Sequence, residues 1–340
     1  MRTGEGEQPQ NGAPADPQAA DPGMNRPPAA DSRPAPPAGP ITGPAEGTGP
    51  AEGPAKRHIS PGRNLPAAIT TGVVLLVPAL LGIFLVPPLL IAVWIVVLCM
   101  GVWEVARALE AQEFDGGRRL RIPKAPLYLG AAAMPVAAYW GGVEALTLAL
   151  MVTCLAVVVG AAITRVADPG RSILASVFVA CWVPFLISFA LLLLQSPQGE
   201  WRLVVVVLLV VANDTFGYIS GVLFGKHPMA PKVSPKKSWE GFAGSMTGAA
   251  AVGMLASWLI FQEPIYIGAL LAAAVVVAST AGDFSESMVK RELGLKDMSH
   301  VLPGHGGVMD RLDSLVFAMP TAYFLIVALT AESAGLPLGL

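Results

Sequence analysis

Runs of about 20 mostly apolar residues, long enough to cross a bilayer as helices, follow one another along this chain with only short charged connections between them. Such runs predict spans at about 66–86, 87–106, 125–141, 143–163, 172–195, 201–224, 241–261, 265–288 and 312–332. A backbone inside hydrocarbon must satisfy its own hydrogen bonds. The expected fold is therefore all-α: a polytopic integral membrane protein of about nine transmembrane helices. The first two runs are divided only by Pro87-Pro88, which fits either two spans with a tight turn or one long broken hairpin.

Charge placement supports the count. With nine spans and the N-terminus inside, every Lys and Arg of the 22 in the chain except Arg202 falls on one side, the asymmetry that the positive-inside rule leads one to expect of cytoplasmic loops. The expected location is the cell membrane, multi-pass, with the N-terminus and the loops 225–240 and 289–311 cytosolic. Charged residues make up 14% of the chain, against about 25% in soluble domains. A net charge of −2 gives no basic field for nucleic acid. Cys99, Cys154 and Cys181 lie inside apolar runs without paired spacing and are expected to be small buried apolar residues. Residues 1–62 are rich in Pro, Gly and Ala. They cannot bury enough surface to order themselves, and are expected to be a disordered cytosolic tail, leaving 63–334 as the membrane domain.

Chemistry concentrates at about 210–315. Asp310 and Asp313 are three residues apart at the start of the last run, so they share one helix face. Two carboxylates placed so can hold a hard cation such as Mg²⁺; capping of the helix N-terminus is the alternative. Asp283 is expected to lie near the inner end of the preceding span and to join them, or else to pair with a nearby Lys or Arg. Asn213 and Asp214 sit deep in the sixth run, where adjacent polar residues need interior partners; they are expected either to orient a substrate or to bond one helix to another. Gly217, Gly221 and Gly225 recur every fourth residue, which suits close helix packing. The loop 225–240 gathers Lys226, Lys232, Lys236 and Lys237 beside Ser234-Pro235, and clustered cations suit a polyphosphate. Gly225-Lys226 is not a phosphate-binding P-loop, because no Gly lies five positions earlier. Gly306 and Gly307 let backbone amides approach an anion, and His305 beside them could donate to a phosphate or act as a base. No His/Cys spacing suits zinc.

The segment 287–313 resembles the signature of the phosphatidate cytidylyltransferases, also called CDP-diacylglycerol synthases. Ser287, Val289, Lys290, Arg291, Lys296, Asp297, Ser299, Leu302, Pro303, His305, Gly306, Gly307, Val308, Asp310, Arg311, Leu312 and Asp313 fill that pattern without a gap. Asn213-Asp214, Gly225-Lys226 and the stretch from Ser234 to Gly241 are also similar to that family, with Ser238 where Thr is commoner. The similarity runs from about residue 200 onward; the earlier spans match only in hydrophobicity.

The resemblance implies the reaction CTP + phosphatidate → CDP-diacylglycerol + pyrophosphate with Mg²⁺, one ion or two, in contact with the lipid bilayer, and family members often work as homodimers. On that reading Asp283, Asp310 and Asp313 hold the metal. Lys236, Lys237, Lys290 and Arg291 neutralise the CTP phosphates and the leaving pyrophosphate. Arg311 and His305 contact the phosphatidate head or the α-phosphate, and Asp214 completes the inner wall. Lys226, Ser234, Lys296, Gly306, Gly307 and Asn213 complete the expected substrate contacts. The alternatives are a cytidylyltransferase for another lipid phosphate and an ion-coupled transporter using Asp214 and Asp283. A CDP-alcohol phosphotransferase is disfavoured, since its Asp-Gly opening motif does not occur.

Overall fold

A computed structural model of the chain describes residues 65–114, 118–299, 301 and 306–333; the N-terminal tail and His305 lie outside them. The described part is helical apart from two short antiparallel hairpins, β1 (Glu113–Phe114) with β2 (Arg118–Arg119) and β3 (Pro228–Ala230) with β4 (Ser234–Ser238). Seven described helices are long and apolar enough to cross a membrane, against the nine spans expected, and the chain is a multi-pass membrane protein.

The two fewer have separate causes. The first is α1 (Leu65–Phe84), whose 20 residues cover the first expected run without falling among the seven. It is joined to α2 (Pro87–Glu110) by Leu85 and Val86, whose N–H groups both return to the Leu81 carbonyl. Pro87-Pro88 thus starts a new helix, as proline does when its missing N–H falls in the first turn.

The second cause is α3 (Lys124–Ile163), 40 residues of helix interrupted at Gly142, where φ is 69° and ψ −162°. A Cβ built on Gly130 would lie 2.5 Å from Thr153, and one on Gly160 would lie 3.2 Å from Pro126. In a straight helix residues 130 and 153 would be about 35 Å apart. So α3 doubles back at Gly142, in a backbone conformation only glycine adopts readily. Its two legs meet at the boundary expected between separate spans.

Next, α4 (Pro169–Ala180), capped by the Asp168 carboxylate, runs through a π-helical turn at Cys181–Phe185 around Pro184 into α5 (Leu186–Leu194), making one span. Then come α6 (Gly199–Phe224), α7 (Trp239–Ala256, prolonged by a π turn to Phe261), α8 (Ile265–Glu292) and α9 (Met309–Ser333). Leu191, Leu203, Leu209, Val275 and Met319 pack one buried cluster, and Leu98, Leu127, Val183 and Met309 another. The three cysteines are free and half-buried.

The last four helices position the charged residues. Small residues line the contact between α6 and α7: a Cβ on Gly217 would meet Ser245 Oγ at 2.4 Å, and one on Gly244 would meet Ser220 Oγ at 1.9 Å. Backbones can approach this closely only where side chains are nearly absent, so the four-residue glycine spacing does serve packing.

Candidate active site

At the charged end of α8 and α9 the two helices touch at Gly282, where an added Cβ would lie 2.2 Å from the Asp313 carbonyl. That contact brings Asp283 and Asp313 together, their carboxyls within hydrogen-bonding reach of one another and Glu286 close by. Asp214, from α6, lies within electrostatic range of Asp283, Lys237 and Arg311. Its neighbour Asn213 donates from Nδ2 to Asp214 Oδ1 at 2.9 Å, while the Asn213 carbonyl accepts from Ser245 Oγ at 2.6 Å. The pair thus bonds α6 to α7, the second of the two roles expected of it, and Asn213 also holds the Asp214 carboxylate.

Asp310 has a different environment. It accepts from Lys290 Nζ at 2.9 Å, from the Gly307 N–H at 2.9 Å and from the Met298 N–H at 3.1 Å. Both of its oxygens are engaged, by donors that precede α9 in the chain. Lys290 also pairs with fully buried Glu286 one turn before it. Asp310 thus ties together the end of α8, the connection after it and the start of α9. That connection begins with a glycine C-cap: Gly294 has φ +64°, and the N–H groups of Gly294 and Leu295 return to the carbonyls of Arg291 and Lys290.

A second buried acid holds the same segment from the other side. Glu104, on α2 and 1% exposed, accepts from Ser299 Oγ at 2.5 Å and from the N–H groups of Val308 and Met309, each at 2.8 Å. Gly307 runs between the two acids, and a Cβ there would lie 2.9 Å from oxygens of both Asp310 and Glu104.

The β3–β4 hairpin roofs a cavity of about 310 Å³ lined by residues including Asp214, Ser234, Lys236, Lys237, Thr280 and Asp283. This is the lower end of the range for ligand pockets. Lys237 forms an ion pair with Asp283 and lies over the Phe284 ring at 5.0 Å. Lys236 is exposed at the rim. Lys226 is not part of the lining; its N–H and that of His227 donate to Glu240, which fixes the hairpin on α7. Arg291 donates to the Val233 carbonyl at 3.5 Å, tying α8 to the hairpin. Lys296 is exposed and outside the cavity, and Gly306 is half-buried with φ +82°.

The model of the cytidylyltransferase family matches residues 66–329. The chain belongs to the cytidylyltransferase family. Its relatives include a phosphatidate cytidylyltransferase of Mycobacterium leprae, 40% identical over 291 residues that cover 79% of this chain and 89% of that protein. One of Mycobacterium tuberculosis is 37% identical over 290 residues, covering 79% and 84%. One of Haemophilus influenzae is 43% identical over 140 residues, covering 39% and 48%.

How would this cytidylyltransferase hold a metal? Among the described residues no three Asp, Glu, His or Cys side chains come together as a metal-binding group. The expected set of Asp283, Asp310 and Asp313 divides: the first and last face each other, and Asp310 is taken up by Lys290 and two backbone amides. Two facing carboxylates still fit Mg²⁺, which is usually held by one or two carboxylates, with substrate phosphates and water filling its other positions.

Glu104 and Glu286 did not figure among the candidates read from the sequence. A signal existed for both, since an ionisable residue within an apolar run marks a site needing a partner. Neither belongs to a motif; Glu286 pairs with Lys290 one turn on along α8, while the partners of Glu104 lie on other elements.

Proposed function

We propose that this cytidylyltransferase transfers the cytidylyl group of CTP to phosphatidate, releasing pyrophosphate and forming CDP-diacylglycerol for phospholipid biosynthesis. The observation that carries the reading is the nearness of Asp214, Asp283 and Asp313 to Lys237 at one end of an apolar bundle, in a chain whose relatives bear that name. The lipid phosphate is already a nucleophile. Its oxygen attacks the α-phosphorus of CTP, and the bond from that phosphorus to the oxygen bridging the β-phosphate breaks. Such a displacement needs positioning and charge neutralisation rather than a protein nucleophile. Lys236 and Lys237 receive the triphosphate under the hairpin, and Arg291 lies on the same side. Arg311 faces the lipid phosphate. Mg²⁺ held by Asp283 and Asp313 would supply Lewis-acid neutralisation of the phosphate charge. In this reading the charged end faces the cytosol, across the cell membrane from Arg202, as the one-sided Lys and Arg require.

The test is turnover by the purified protein in detergent with CTP, phosphatidate and Mg²⁺. Lipid product and pyrophosphate are expected in equal amounts, and far less of both from Asp313→Asn at a Mg²⁺ concentration that suffices for the wild type. A folded protein that binds CTP but leaves phosphatidate unchanged would overturn the assigned acceptor.

A further inference from the structure

A second cavity, of about 570 Å³, opens between α1 and α2 and ends at the first turn of α9. Its wall is apolar, with Ala79, Ala92, Val93, Val96 and Met100 along it and Leu312 at the end; Arg311 is the one charged residue in its lining. Ala92 and Val96 are exposed, one turn apart on α2. From Ala92 to Met100 the groove follows α2 for about 12 Å. That fits within one leaflet of a hydrocarbon core about 30 Å thick.

Arg311 belongs to both places. It lines the end of the groove, and it lies in electrostatic range of Asp214, which lines the cavity under the β3–β4 hairpin. An apolar channel with one cation at its end, opening beside an anion-handling site, complements a molecule with a hydrocarbon chain on a phosphate. We infer that the groove between α1 and α2 seats an acyl chain of the lipid substrate while Arg311 meets its phosphate, so that the groove selects for chain length. This rests on the proposed function, and it assigns to α1 and α2, the least motif-bearing part of the chain, the role of recognising the lipid.

The experiment fills the groove from its exposed wall. Ala92→Phe and Val96→Trp are compared with Leu155→Trp, an exposed position on α3, using dioleoyl and dihexanoyl phosphatidate with the full chain in detergent. The groove variants are expected to lose about ten-fold or more in kcat/KM for the dioleoyl lipid, the equivalent of about two buried methylenes. The dihexanoyl lipid and the KM for CTP should change less than about two-fold, and Leu155→Trp should change neither. Equal losses for both lipids, or no loss for either, would overturn the inference. Equal losses together with an altered oligomeric state would assign the groove to a second copy of the chain instead. Wild-type protein that converts neither lipid would overturn the proposed function itself, a result distinct from any of these.

Discussion

Replacing Glu104 by Gln isolates the contact that holds the start of α9. One carboxylate oxygen of Glu104 accepts from Ser299 Oγ and the Val308 N–H, and the other accepts from the Met309 N–H. An amide of the same shape can be placed two ways. With its oxygen toward Val308, the new NH₂ confronts the Met309 N–H. Flipped, the NH₂ confronts the Val308 N–H, while the Ser299 hydroxyl can rotate to accept. Either way one buried backbone donor is stranded, which costs about 1–3 kcal/mol, and the charge-assisted bonds weaken to ordinary ones, a loss of about 1 kcal/mol more. The attraction of a carboxylate for a helix N-terminus adds a few tenths. The total, about 2–4 kcal/mol, falls on one segment rather than on the bundle, because the Glu104 partners all lie within residues 299–309. If all of it is felt in the transition state, kcat falls by about 30- to 1,000-fold at 1.36 kcal/mol per decade. Cytidylyl transfer in detergent would measure that loss. Thermal unfolding and limited proteolysis would report whether the damage stays local, with Glu144→Gln, an exposed acid on α3, as the baseline. Activity within three-fold of wild type (~0.6 kcal/mol) and unchanged proteolysis in Glu104→Gln would refute the view that this acid positions the site.

Four other outcomes are expected. Asp283→Asn and Asp313→Asn should raise the Mg²⁺ concentration for half-maximal turnover by about ten-fold or more, the loss of one charged ligand. Asp310→Asn should lower thermal stability and activity while leaving the Mg²⁺ titration in place; a shifted titration in that variant would restore it to the metal set. Lys237→Met should raise the KM for CTP by about 10- to 100-fold, as removal of one charge-assisted contact predicts, and Lys237→Arg should recover part of it; an unchanged KM would remove this residue from the nucleotide. Gly142→Val should destabilise the protein by about 1–3 kcal/mol in a thermal melt, because its backbone region is open essentially to glycine alone; an unchanged melting temperature would argue against the reversal of α3.

The one-sided charges, the apolar runs and the crowding of acids and bases at 287–313 made the membrane fold and the place of the site legible from sequence. Each is a local signal: a length, a sign or a spacing. Asp310 and Asp313 show where such signals stop. Their three-residue spacing puts both on one face of α9, yet Asp310 turns back to Lys290 and the N–H groups of Met298 and Gly307, while Asp313 meets the neighbouring helix. Which does which is decided by where α8 ends and by the missing side chain of Gly282. Asp283 posed a similar choice between an ion pair and a carboxylate cluster. It makes the Lys237 pair and faces Asp313 as well, because the β3–β4 hairpin folds over the end of α8, a placement no spacing encodes. Glu104 lies furthest from legibility. Within its own run it is a lone acid among apolar residues, and its three donors come from about 200 positions later in the chain. A buried carboxylate without a motif still demands partners. Where a strong motif nearby exposes backbone N–H groups at a helix start, the two needs answer each other, and that complementarity is a reason to look for the partner of a motif inside the apolar spans rather than in the charged loops.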